Sequence, residues 1–91
     1  MGTMEPPKDI DGAEVLCWAW SGNEPFGLCG DIPIHGCAVC RYTSGSLYRF
    51  SCDRDWESVN DSPQDTIEQA MSATPLNYRG AKILWVRRGA G

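Results

Sequence analysis

His35, Cys37, Cys40 and Cys52 are the residues of this chain whose types could bind a metal or do nucleophilic chemistry. The run His35-Gly36-Cys37-Ala38-Val39-Cys40 holds the only histidine and a CxxC pair. Tetrahedral zinc is bound by Cys and His, and CxxC is its usual half-site. A zinc-binding CxxC sits on a tight knuckle, however, whereas alternation along a regular strand sends Cys37 and Cys40 to opposite faces. Cys17 and Cys29 would have to complete the site from elsewhere in the chain. The expectation is therefore buried, reduced thiols and no bound metal or cofactor, with a zinc-stabilised domain on His35, Cys37, Cys40 and Cys52 as an alternative.

Other chemistries fit these residues less well. A thioredoxin-like thiolate needs a helix N-terminus behind its first cysteine, and Arg41-Tyr42 follow the CxxC instead. Cys40 as nucleophile with His35 as base would need spatial closeness that spacing alone does not supply. Asp53, Asp55 and Glu57 could pair as carboxylates or bind a cation, but strand alternation and Arg54 fit a solvated edge better. Glycine-rich phosphate loops, Walker sequences and GxSxG elbows are all missing from the sequence. The expected protein is thus non-enzymatic.

The elements that position these residues begin with a hairpin from Ile34 to Asp53. Two β-branched, aromatic and cysteine-rich runs flank Thr43-Ser44-Gly45-Ser46, the pattern of an antiparallel pair closed by a tight turn. A two-residue turn at Ser44-Gly45, or a four-residue loop over 43–46, pairs Arg41 with Tyr48, Cys40 with Arg49, Val39 with Phe50 and Cys37 with Cys52. That register predicts a core face of Cys37, Val39, Phe50 and Cys52. The half-solvated face would hold Ala38, Cys40, Tyr42, Leu47, Arg49 and Ser51. Facing cysteines 37 and 52 could form a disulfide, which a reducing compartment would oppose.

Before the hairpin, residues 1–13 are rich in Pro, Gly and Asp and read as a flexible lead. Glu14 to Trp20 reads as a strand with Leu16, Trp18 and Trp20 on one side and Val15, Cys17 and Ala19 on the other. Ser21 to Pro33, with three glycines, two prolines and Asn23, reads as a long loop folded back on the body. After the hairpin, Ser62 as N-cap, Pro63 at the first helical position and Asp65 in the capping box predict a helix. Ile67, Ala70, Met71 and Thr74 form its packing face and Pro75 its stop. A turn over 76–80 precedes a last strand, Ala81 to Arg87, which a right-handed crossover would set parallel to its predecessor.

The predicted architecture is therefore α+β: one small domain over 14–88, a four-stranded mixed sheet of order β-β-β-α-β with one helix packed on one face. A single helix covers one face, yet four tryptophans, three tyrosines and two phenylalanines are spread over both strand parities. An uncovered aromatic face is an association surface. The expected function is a small protein-interaction module that binds a protein partner or a second copy of itself as a homodimer. The alternative is a small-ligand binder with its pocket between the sheet and the 21–33 loop, walled by Trp18 or Trp20 and Tyr42. Candidate binding residues are Trp18, Trp20, Asn23, Phe26, Tyr42 and Arg49.

Composition bounds the partners. A chain of 91 residues with 42% hydrophobic residues builds one modest core. A formal charge of −4 argues against nucleic acid, whose phosphates require a concentrated basic surface, and suits a basic protein partner. No apolar run approaches the roughly 20 residues of a transmembrane helix, so no membrane association is expected. Pro6 stands where a myristoylation signal needs Ser or Thr. Five cysteines without an evident export signal point to the cytoplasm.

Overall fold

A computed structural model of the chain describes residues 5–72 and 85–87. It consists of eight strands and one short helix: β1 (Asp9–Ile10), β2 (Ala13–Trp20), β3 (Gly27–Cys29), β4 (Ile32–Ile34), β5 (Gly36–Arg41), β6 (Leu47–Cys52), β7 (Ser58–Gln64), α1 (Ile67–Ser72) and β8 (Val86–Arg87). The main sheet is curled, in the order β1-β2-β5-β6-β7, with β8 also against β2, while β3 and β4 form a separate two-stranded sheet. Every pairing is antiparallel. The expected four-stranded mixed sheet is thereby overturned: the fold is mostly β.

Four strands account for the difference. β1 and β2 are joined by Asp11-Gly12, both at positive φ (52° and 83°), the Asp-Gly turn whose twist matches the flanking strands. The segment read as a lead thus supplies Ile10 to the core. β3 and β4 turn through Gly30-Asp31 inside the segment read as a loop. β7 runs through Ser62 and Pro63, where a helix start is expected from sequence. Pro63 is tolerated because β7 is an edge strand, where a missing N–H breaks no ladder bond.

The helix starts four residues later than Ser62 would place it. Thr66 is its cap, with the Gln69 N–H donating to Thr66 Oγ1 at 3.0 Å and the Asp65 N–H donating to Gln69 Oε1 at 2.9 Å. Ile67, Ala70 and Met71 pack with Cys17, Val39 and Trp85, so that part of the predicted apolar stripe does face the sheet. Thr74, Pro75, the 76–80 turn and the first part of the predicted last strand lie outside the described residues. β8 lies antiparallel beside β2 rather than parallel to the strand expected before the helix.

Register decides which side chains share a face. The β5–β6 loop has three residues, Thr43 to Gly45, closed by the Tyr42 N–H to Ser46 O at 3.0 Å and the Gly45 N–H to Tyr42 O at 2.8 Å, with Gly45 at φ 97°. Val39 therefore faces Arg49, Ala38 faces Phe50, Cys37 faces Ser51 and Gly36 faces Cys52. This is one residue off the register expected for an even loop, and a one-residue slip exchanges faces. Leu16 is an extra residue between Val15 and Cys17, a bulge that puts Val15 on the side of Trp18. One face then carries Val15, Trp18, Ala38, Cys40, Phe50 and Cys52, covered by Ile10, Ala13 and Trp56. The other carries Cys17, Ala19, Cys37 and Val39, under α1, Trp85, Phe26 and Ile34.

Both faces of the sheet are thus covered from within the chain. Among the described residues no helix is long and apolar enough to cross a membrane.

Candidate functional site

The end of the sheet where Trp20, Gly36 and Cys52 meet gathers the residues with the most unusual surroundings. Asp53 starts a tight turn there. Its Oδ1 accepts the N–H of Asp55 at 2.8 Å and of Glu57 at 3.0 Å, and its carbonyl accepts the Trp56 N–H at 3.1 Å. This Asx-type bonding holds Trp56 at φ 64°, a left-handed conformation that costs a non-glycine residue about 1–2 kcal/mol. The strain is offset by burial: the Trp56 ring folds back over the sheet, 6.2 Å from Trp18 edge-on and 5.6 Å from Trp20 in a tilted stack. Its Nε1–H is buried with no acceptor among the described residues.

Gly36 makes room for that ring. A Cβ at this position would stand 2.5 Å from Trp56 Cζ3 and 2.7 Å from Cη2, inside any tolerable contact. Next to it, His35 is 5% exposed and lies 5.5 Å from Trp20 with the planes 32° apart. Its Nδ1 is 2.8 Å from Ser21 Oγ. Its backbone is pinned on both sides, by its N–H to Cys52 O and by the Ser21 N–H to its carbonyl. A cavity of about 370 Å³ opens here, lined by His35, Ile32, Pro33, Asp53, Arg54 and Asp55.

The β3–β4 hairpin borders this cavity. Phe26 and Ile34 at its base, and Cys29 beside its turn, pack with Ala19 and Cys37. On the same hairpin Leu28 is 51% and Ile32 44% exposed. Glu24 and Asp31 are exposed beside them in sequence.

The sequence-predicted binding residues are only partly brought together. Trp18 is buried in one aromatic cluster, against which the partly buried Trp20 and Tyr42 pack. Tyr42 stands edge-on to Tyr48 at 5.4 Å and lines a second cavity of about 380 Å³ with Asp9, Glu14 and Arg41 at the opposite end of β2. Burial pushes its hydroxyl pKa up, and the carboxylates of Asp11 and Asp61 add to this. Asn23 is exposed. Phe26 is buried under the hairpin. Arg49, expected on a half-solvated face, is 4% exposed on the helix-covered face. Its Nη2 is 3.8 Å from Cys37 Sγ and its guanidinium carbon 5.9 Å from the Trp85 ring.

Sequence reasoning missed Trp56 and Gly36 and placed Ile32 in a loop. An Asp two and four residues ahead of the amides it bonds, Asp53 before Asp55 and Glu57, was the available signal for the turn.

The thiols are arranged for packing. All five cysteines are unbridged. Cys37 lies on the face opposite to Cys40 and Cys52, so the conceivable Cys37–Cys52 pair does not face across the strands. Among the described residues no group of three or more His, Cys, Asp or Glu converges as a metal site. Burial drives the Cys52 thiol far above its ordinary pKa, with Cys37 and Cys40 adding to the effect, and burial also raises Cys17. Protonated thiols of this kind are poor nucleophiles. The histidine engages Ser21 through Nδ1, and the Cys40 side chain is packed among Val15, Phe50 and Trp18. No protein-family model matches the chain, and no curated protein or solved structure shows significant similarity to it.

Proposed function

We propose that this chain is a small, non-enzymatic protein-interaction module whose contact element is the β3–β4 hairpin, presented to a foreign protein or to a second copy of itself. The observation supporting this reading is the exposure of Leu28 and Ile32 on a hairpin that is anchored at its base. Apolar side chains held out from an ordered element lose little further entropy on docking, and their burial contributes about 25 cal/mol per Å². The contact moves from the aromatic sheet face, expected from sequence, to the hairpin because Trp18, Phe50 and Trp56 are already buried. Five unbridged thiols support a reducing compartment such as the cytoplasm.

Photo-crosslinking residues placed at 28 and at 32, with position 61 on the polar edge strand β7 as control, test the reading in the cells that make the protein. Discrete adducts at 28 and 32 but not 61 support it, and their masses separate a homodimer from a foreign partner. Equal labelling at all three positions would refute it.

The cavity beside His35 supports a second reading, a small-ligand binder. Because Trp20 lies on His35, a ligand in the cavity would change tryptophan emission. A flat response across a broad metabolite set would sink this alternative.

A further inference from the structure

We propose that the partner segment is basic and that it seats one lysine or arginine side chain in the cavity between His35 and the 53–55 turn, while a neighbouring apolar residue covers Ile32. This rests on the hairpin reading and specifies the chemistry of the partner. Three independent observations lead to it.

The first is the lining. Ile32 and Pro33 form an apolar wall and Asp53 and Asp55 an acidic one, the division that a long cationic side chain needs, stem against carbon and head against oxygen. A volume of about 370 Å³ is at the small end for ligand sites and suits one side chain. Both backbone bonds to Asp53 use Oδ1, so the turn does not occupy its second oxygen. Arg54 is the one cation in the lining and leaves an excess of negative charge.

The second is His35. Its side chain is 5% exposed, and Nδ1 is engaged by Ser21 at 2.8 Å. Nε2 has no hydrogen-bond partner among the described residues, and the ring lines the cavity. In the tautomer where Nδ1–H donates to Ser21 Oγ, Nε2 offers a lone pair to an incoming N–H, which an ammonium or guanidinium supplies in excess.

The third is the surrounding field. Glu24, Asp31, Asp55 and Glu57 are exposed on the two segments that frame the cavity, on a chain of net charge −4. Two such surfaces repel each other, so a foreign basic segment fits this end of the molecule better than a second copy does.

The test is an amide-resolved NMR titration of the full chain with acetyl-Gly-Lys-Leu-Lys-Gly-amide and with its glutamate counterpart. The expected result is saturable shifts at Ile32, His35 and 53–55 with the lysine peptide only, weakened by added salt. Asp55→Asn, an exposed change that spares the turn bonds of Asp53, should weaken binding about fivefold, and Ile32→Asp should abolish it. Unchanged affinity in Asp55→Asn, shifts confined to other surfaces, or no shifts at all would overturn the proposal. If the glutamate peptide shifts Leu28 and Ile32 equally, the basic partner is refuted while the hairpin remains a docking element. Failure of the hairpin itself would register separately, in the crosslinking at 28 and 32.

Discussion

Replacing Gly36 by alanine tests whether the Trp56 ring is locked by its surroundings or merely rests on them. The new Cβ would meet Trp56 Cζ3, Cη2 and Cε3 at 2.5, 2.7 and 2.8 Å, against about 3.5–4.0 Å for a comfortable carbon contact. The ring would have to retreat by about 1 Å, yet Trp18 and Trp20 flank it and its backbone is tied to Asp53. Local overpacking costs about 1–3 kcal/mol. Expulsion of the ring would approach the roughly 3–5 kcal/mol of truncating a buried tryptophan. We expect about 3 kcal/mol for Gly36→Ala, read as a shift of the urea midpoint by far-UV circular dichroism. In a Trp56→Gly background the clash is gone, and the same substitution should become neutral or stabilise by up to about 1 kcal/mol, since alanine is the better strand residue. Equal costs in the two backgrounds would refute the lock.

Three further outcomes follow from the same structure. Thr66→Ala removes the helix cap and should lower stability by about 1 kcal/mol; an unchanged urea midpoint would mean that α1 is held by packing alone. Gly45→Ala forces a side chain into a left-handed turn residue and should cost about 1–2 kcal/mol, with no loss in a variant refuting the three-residue loop. Cys52 supplies a pH dependence. Its folded pKa is raised above the ordinary 9.0 by burial, so its contribution is full below about pH 9 and lost as the pH rises further, at up to about 1.4 kcal/mol per pH unit. Cys52→Ala should flatten the decline in urea midpoint between pH 8 and 10.5, and a parallel profile in the variant would rule the explanation out.

How much of this was legible in the sequence depended on the kind of signal. The strands 13–20, 36–41 and 47–52 stand where β-branched and aromatic residues concentrate, and Ile67, Ala70 and Met71 do face the sheet. Parity was not legible, because one extra residue at Leu16 and an odd rather than even loop at 43–45 each exchange inside for outside. Two signals were present but outweighed: Asp11-Gly12 was lost in a Pro- and Gly-rich lead, and Thr66-x-x-Gln69 is a better capping box than Ser62-x-x-Asp65. Pro63 reads as a helix start or as an edge-strand residue, and only the position of β7 in the sheet decides between them. For the site, Asp53, Asp55 and His35 were visible as chemistry-bearing residues. Their closeness to Ile32 was not, because it is set by the hairpin meeting the 53–57 turn.

The packing of Trp56 against Trp18 and Trp20 also has an optical consequence. Three indoles whose ring centres follow one another at 6.2 and 5.6 Å are close enough for their electronic transitions to mix, so the native fold should show a coupled band in circular dichroism that isolated tryptophans lack. One of the three rings belongs to the turn that walls the cavity, while the other two belong to the sheet. Any event that lifts residues 53–57 away from β2 would erase that band while the sheet stays folded, which makes the position of this turn readable by light without attaching a label.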